Sequence, residues 1–194
     1  MPVPLQIANA AISFRRNKSL LDKSCKDLSA EEWLRSPCEN SNHLLWIAGH
    51  IVWARAAVLK FLGAPEWSRP WLKQFARGKK RDEPSQYPTP EEVLSAFEDL
   101  TRHVTEGLES ASEETMRSPA PPNSPPGDGT TGGVINFLAF HEPITWASWP
   151  ICAAGWDTRD RRGKRWIRPR LPISGAADSW PGRTRWRDAR PAGA

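Results

Sequence analysis

Cysteine is scarce: Cys25, Cys38 and Cys152 are the only three in 194 residues. An odd number at unrelated spacings provides neither a disulfide framework nor a zinc-binding pattern. A reducing cytoplasm is the expected setting. The opening stretch, MPVPLQIANAAISFRR, has no basic region leading into an apolar one, and no run approaches the roughly 18 apolar residues of a membrane span. A soluble protein without a membrane partner follows. Alternating strand patterns are missing, which removes sheet architectures. The helix pattern H-E-x-x-H of zinc proteases is not met either, because Thr145 stands where the second histidine would be.

A further deficit is local. Residues 143–194 contain one leucine and no valine, phenylalanine or glutamate, yet they hold six of the eleven tryptophans and ten arginines. That composition cannot supply a helical core. The same residues carry a net charge of +7, which leaves −2 on residues 1–142, so the formal +5 of the whole chain does not describe the domain. A basic, tryptophan-rich tail offers arginines for phosphates and rings for base stacking, one alternative reading of the chain as a nucleic-acid binder. The domain itself gives no reason to expect nucleic acid.

What the first 142 residues do have is helix punctuation. A first helix is expected over residues 5–25, with Leu5, Ala8, Ile12 and Leu20 or Leu21 at helical intervals. Ser29 and Glu32 form a capping box, with Leu28 and Trp33 as its staple, and the short helix they begin ends by Pro37. A long helix over residues 41–62 stops at Gly63 and Pro65. Its apolar residues make two stripes: Leu44, Ile47, Ile51, Val58 and Leu62, then Trp46, Trp53 and Ala57. A polar stretch follows, with one short helix near residues 71–76. Thr89, Pro90 and Glu92 combine an N-cap, a first-turn proline and a capping-box glutamate. The helix they start carries Val93, Leu94, Phe97, Leu100, Val104 and Leu108. Residues 118–133, rich in proline and glycine, read as an exposed loop. A fourth helix is expected from near Gly133, with Val134, Phe137, Leu138 and His141 on one face and an extent to about residue 155. Pro143 and Pro150 should end or kink it. The fold class is therefore all-α, a four-helix bundle with an irregular C-terminal tail.

Two of the four histidines point inward. His50 lies between Trp46 and Trp53, one turn either way, and His141 continues the apolar face of the fourth helix. Facing helices of a bundle can hold imidazoles at the ~2.0–2.1 Å that zinc requires. On spacing alone, the plainer reading of each is a satisfied core or boundary histidine. His43 and His103 read as surface residues, and Glu142 as exposed.

The segment Asn42-His43-Leu44-Leu45-Trp46-Ile47-Ala48-Gly49-His50-Ile51-Val52-Trp53, with Phe137-Leu138-Ala139-Phe140-His141-Glu142 downstream, resembles the DinB-like (damage-inducible) superfamily of metalloenzymes. The resemblance covers residues 1–142. It implies a four-helix bundle holding a divalent metal, often zinc or nickel, on three histidines: one on the second helix and two spaced H-x-x-x-H on the last. His50 and His141 match the first two; the third position is Thr145. It also implies metal-dependent chemistry of transferase or hydrolase class on a small-molecule substrate that the sequence does not name. With one ligand missing, binding should be weak and activity impaired. A non-catalytic helical scaffold, or a homodimer of this chain, is the other alternative.

The missing histidine has a genetic reading. The family motif continues H-E-x-Y-H-V-G-Q-L-A-Y-L-R-R. When codons are formed from the third base of each residue and the first two of the next, Trp146 and Ala147 give glycine, Trp149 and Pro150 give alanine, and Trp156 and Asp157 give glycine. Ser148 with Trp149 allows leucine, and the degenerate positions allow Tyr-His-Val before the first glycine. A single-base deletion near the junction of Glu142 and Pro143 would account for the tail, residues 143–194, as an out-of-frame product.

Overall fold

The computed structural model describes residues 3–25, 27–36, 41–80 and 82–153, with side chains up to Ser148 in the last helix. The chain divides into Met1–Trp156 and Asp157–Ala194, and the described residues all lie in the first unit. The side chains of Cys38 and Cys152, the end of the fourth helix near residue 155 and the expected irregular tail fall outside them.

Six α-helices are described: α1 (Ala8–Cys25), α2 (Ala30–Trp33), α3 (Leu44–Phe61), α4 (Pro90–Ser110), α5 (Glu113–Arg117) and α6 (Thr131–Ala153). Among the described residues there is no strand, only an isolated antiparallel bridge between Pro119 and Thr130. The four long helices make the bundle. α3 packs against α4 and α6, and α1 packs against the same two, so α1 and α3 face each other across the diagonal.

Local chemistry explains most boundaries. The Ser29 and Glu32 capping box starts α2, and Thr89 with Glu92 does the same for α4 behind Pro90. Each satisfies backbone N–H groups that a helix start leaves unpaired. α3 ends in a Schellman turn: Gly63 takes φ +66°, and Ala64 N–H donates to Leu59 O at 3.0 Å while Gly63 N–H donates to Lys60 O at 3.2 Å. The left-handed position suits glycine because no Cβ crowds the carbonyl.

Several expectations need correction. In α1 the buried residues are Ala10, Ala11, Phe14, Leu21 and Cys25, whereas Leu5, Ile12 and Leu20 are exposed. Of the two leucines expected there, Leu21 is the one that points inward, and small and aromatic residues make up most of the rest of the buried stripe in place of Leu5 and Ile12. α3 begins at Leu44 rather than near residue 41, because His43 is its N-cap. α6 begins at Thr131, two residues before the expected start, and takes the last three residues of the expected loop. α3 is also apolar and long enough, by length and composition, to cross a membrane, contrary to the expectation of no such stretch; 72% of it is buried inside the protein.

The largest correction concerns Pro143. α6 continues through Pro143 and Pro150 to Ala153, so neither proline ends it. A proline at 143 cannot donate to the carbonyl of Ala139, four residues back. Asn17 on α1 fills that place: its Nδ2 lies 3.4 Å from Ala139 O and also donates to Glu142 Oε2 at 2.9 Å. The break in the helix ladder is thus patched by a neighbouring helix.

Candidate metal site

α3 and α6 bring His50 and His141 together at their seam. His50 Nε2 lies 3.4 Å from His141 Nε2, with the two rings nearly perpendicular at 80°. His50 is 8% exposed and stacks between Trp46 and Trp53, at centroid distances of 5.0 and 5.3 Å. Phe137, one turn before His141, stacks on that ring at 6.0 Å. Its other nitrogen anchors His50: Nδ1 is 2.7 Å from the carbonyl of Phe75, in the 3-10 turn Leu72–Phe75. A carbonyl can only accept, so the bond orients the ring and leaves Nε2 facing His141.

Burial shapes the titration of both rings. Desolvation lowers the His50 pKa below its ordinary value, the Phe75 bond opposes this, and His141 reinforces it. His141 is lowered mainly by burial, with Glu142 opposing and Arg77 adding to the fall. Both imidazoles are therefore held neutral near pH 7, the form that can ligate a cation.

Two nitrogens on one tetrahedral zinc, each at ~2.0–2.1 Å, lie about 3.3–3.4 Å apart. The His50 and His141 separation of 3.4 Å matches. The third position does not fit. Thr145 sits one turn beyond His141 with Oγ1 3.2 Å from Nε2 of that ring, and a neutral hydroxyl is a poor replacement for imidazole. Among the described residues no group of three or more His, Cys, Asp or Glu side chains could hold an ion. Trp46 Nε1, a buried N–H without a partner, is a donor and offers a cation nothing. The residues fit a two-imidazole hold and do not form a three-ligand catalytic centre.

Glu142 was expected to be exposed and His43 to lie on the surface; both are buried, Glu142 at 2% and His43 at 5% exposed. Glu142 forms a two-pronged ion pair with Arg55, whose Nε donates to Oε1 at 2.7 Å and whose Nη2 donates to Oε2. The same guanidinium donates to Thr101 Oγ1 at 2.6 Å and Phe14 O at 3.1 Å, and lies 4.0 Å from the centre of the Phe97 ring. One buried cation thereby ties all four long helices together. The sequence did hold a signal: Arg55 occupies the vacant slot in the stripe Leu44, Ile47, Ile51 and Val58. His43 Nδ1 accepts from Trp46 N–H at 3.1 Å, and its ring meets Tyr87 edge-on. His103 stays apart from the site, 36% exposed and bonded to Asp99 O.

A family model described as the DinB superfamily matches residues 13–144. The chain belongs to the DinB superfamily. The match includes both histidines and Glu142, and stops one residue before Thr145. No curated protein and no solved structure matches this DinB-superfamily chain.

Proposed function

We propose that this DinB-superfamily protein holds a divalent cation, zinc or nickel, weakly between His50 and His141, as the remnant of a three-histidine centre. The observation that carries the reading is the 3.4 Å approach of two buried-facing Nε2 atoms from different helices. The chemistry such a cation supplies, where a third ligand and an open position exist, is polarisation of a substrate or of water. Without the third ligand this chain lacks the three-ligand set on which such catalysis rests. The reading keeps a transferase or hydrolase class for the intact site, a small-molecule substrate and a cytoplasmic location. It leaves out nucleic acid, since the net positive charge lies after Trp156, beyond the family match.

The loss at position 145 is assigned to a single-base deletion after Glu142, making residues 143–194 an out-of-frame tail. The end of the family match at residue 144 supports this. Sequencing the nucleotides across codons 140–146 tests it, and a verified frame without a family-like alternative reading would overturn it. Calorimetric titration of zinc and nickel into untagged protein tests the site. Weak binding that disappears in His141→Ala, and tight binding in the frame-restored protein, are expected. Equal affinities of the original and frame-restored forms would refute the proposal.

A further inference from the structure

His50 is set in place by a residue that has no side chain at all. Gly49 precedes it on α3, and a Cβ added there would lie 2.4–2.6 Å from Cε1, Cδ1 and Cγ of Phe75. Real side chains do not approach so closely, and Phe75 cannot retreat. Its ring is fully buried, stacked against Tyr87 at 5.5 Å and met edge-on by Trp71 at 5.7 Å. The backbone carrying it is moored as well. Trp67 Nε1 donates to Asp99 Oδ2 at 2.8 Å, Arg69 reaches the same oxygen at 3.2 Å, and Gln74 Nε2 donates to Gln86 O at 3.2 Å. Only a missing side chain at position 49 lets the ring seat, and the seated ring brings Phe75 O to 2.7 Å from His50 Nδ1.

We infer that Gly49 and Phe75 are a positioning pair that fixes the tautomer of His50, keeping its proton on Nδ1 and its lone pair on Nε2. A neutral histidine side chain free in water prefers the opposite arrangement. The pair holds the ring ready to bind through the nitrogen that faces His141, and lets His141 direct its own Nε2–H toward that lone pair when no cation is bound. The inference deepens the metal-site reading and rests on it for its purpose, but the tautomer is a property of the metal-free protein.

Long-range 1H–15N correlation spectra of metal-free, 15N-labelled protein in mildly alkaline buffer report each histidine's tautomer directly. Wild-type His50 should be the Nδ1–H form. Gly49→Ala should convert it wholly or partly to Nε2–H, leave the half-buried, distant His103 unchanged, and weaken zinc binding by about 10-fold or more, the usual effect of losing a ligand's supporting bond. An Nε2–H wild type overturns the inference whatever the variant does. A folded Gly49→Ala with an unchanged tautomer overturns the role of the notch. Should Gly49→Ala not fold, Gly49→Ala/Phe75→Leu removes much of the ring the methyl would meet and should regain the Nδ1–H form; if that folded variant fails to regain it, the inference also fails. A wild type with the Nδ1–H form and no zinc affinity would strike only the metal reading.

Discussion

His50 shows how one residue's surroundings become a pH dependence. Its pKa is lowered in the fold, chiefly by desolvation. Below the ordinary value of 6.5 the unfolded chain therefore takes up the proton before the folded one does. The associated stability is fully present above that value and is lost as pH falls toward the depressed folded value. Urea unfolding of wild type and His50→Gln, compared above and below pH 6.5, checks this: the variant's stability should fall less on acidification. An equal fall in both would show that His50 does not contribute. Cys25 illustrates the opposite sign without a function: burial pushes its thiol up to about 12, so it stays protonated and unreactive.

Helices and their seams are the scale at which sequence reading both worked and failed. Capping boxes at Ser29 and Thr89 were legible because the interacting atoms lie within one turn. Inward placement of His50 was legible because Trp46 and Trp53 flank it at helical spacing. The ion pair of Arg55 and Glu142 was not: the place of Arg55 in the apolar stripe marks it as inward, but its partner comes from another helix. Pro143 was misjudged for the same reason: the patch at Ala139 O comes from Asn17, 122 positions away in sequence. Two predictions belong here. Asn17→Ala leaves Ala139 O and one Glu142 oxygen short of a donor, and should cost about 1–3 kcal/mol in a denaturant titration. Arg55→Met strands Glu142 without its cation and should cost about 3–5 kcal/mol, whereas Arg55→Met/Glu142→Leu should recover much of that loss. A single Arg55 variant as stable as wild type would mean the ion pair is not what ties the helices.

At the scale of the whole molecule, charge and core are separated along the chain. The buried hydrophobic residues identified among the described residues run from Ile7 to Ala139. Residues 143–156 carry no charged side chain, so the first unit, Met1–Trp156, keeps the net −2 of residues 1–142 and the +7 belongs to residues 157–194. A truncation after Trp156 therefore removes the basic character while keeping every one of those core residues in the chain. We expect the shortened protein to unfold cooperatively, with stability within about 0.5 kcal/mol of the full chain, as for changes away from a core. Retention on a polyanion column should behave differently. The full chain should be held at low salt and released steeply as salt rises, because its arginines displace counterions from the column, and the truncated form should pass through. Loss of the cooperative transition on truncation would show that residues 157–194 help to build the bundle and would count against an out-of-frame origin. Unchanged, steeply salt-dependent retention would place a polyanion-binding surface on the bundle itself, despite its negative formal charge.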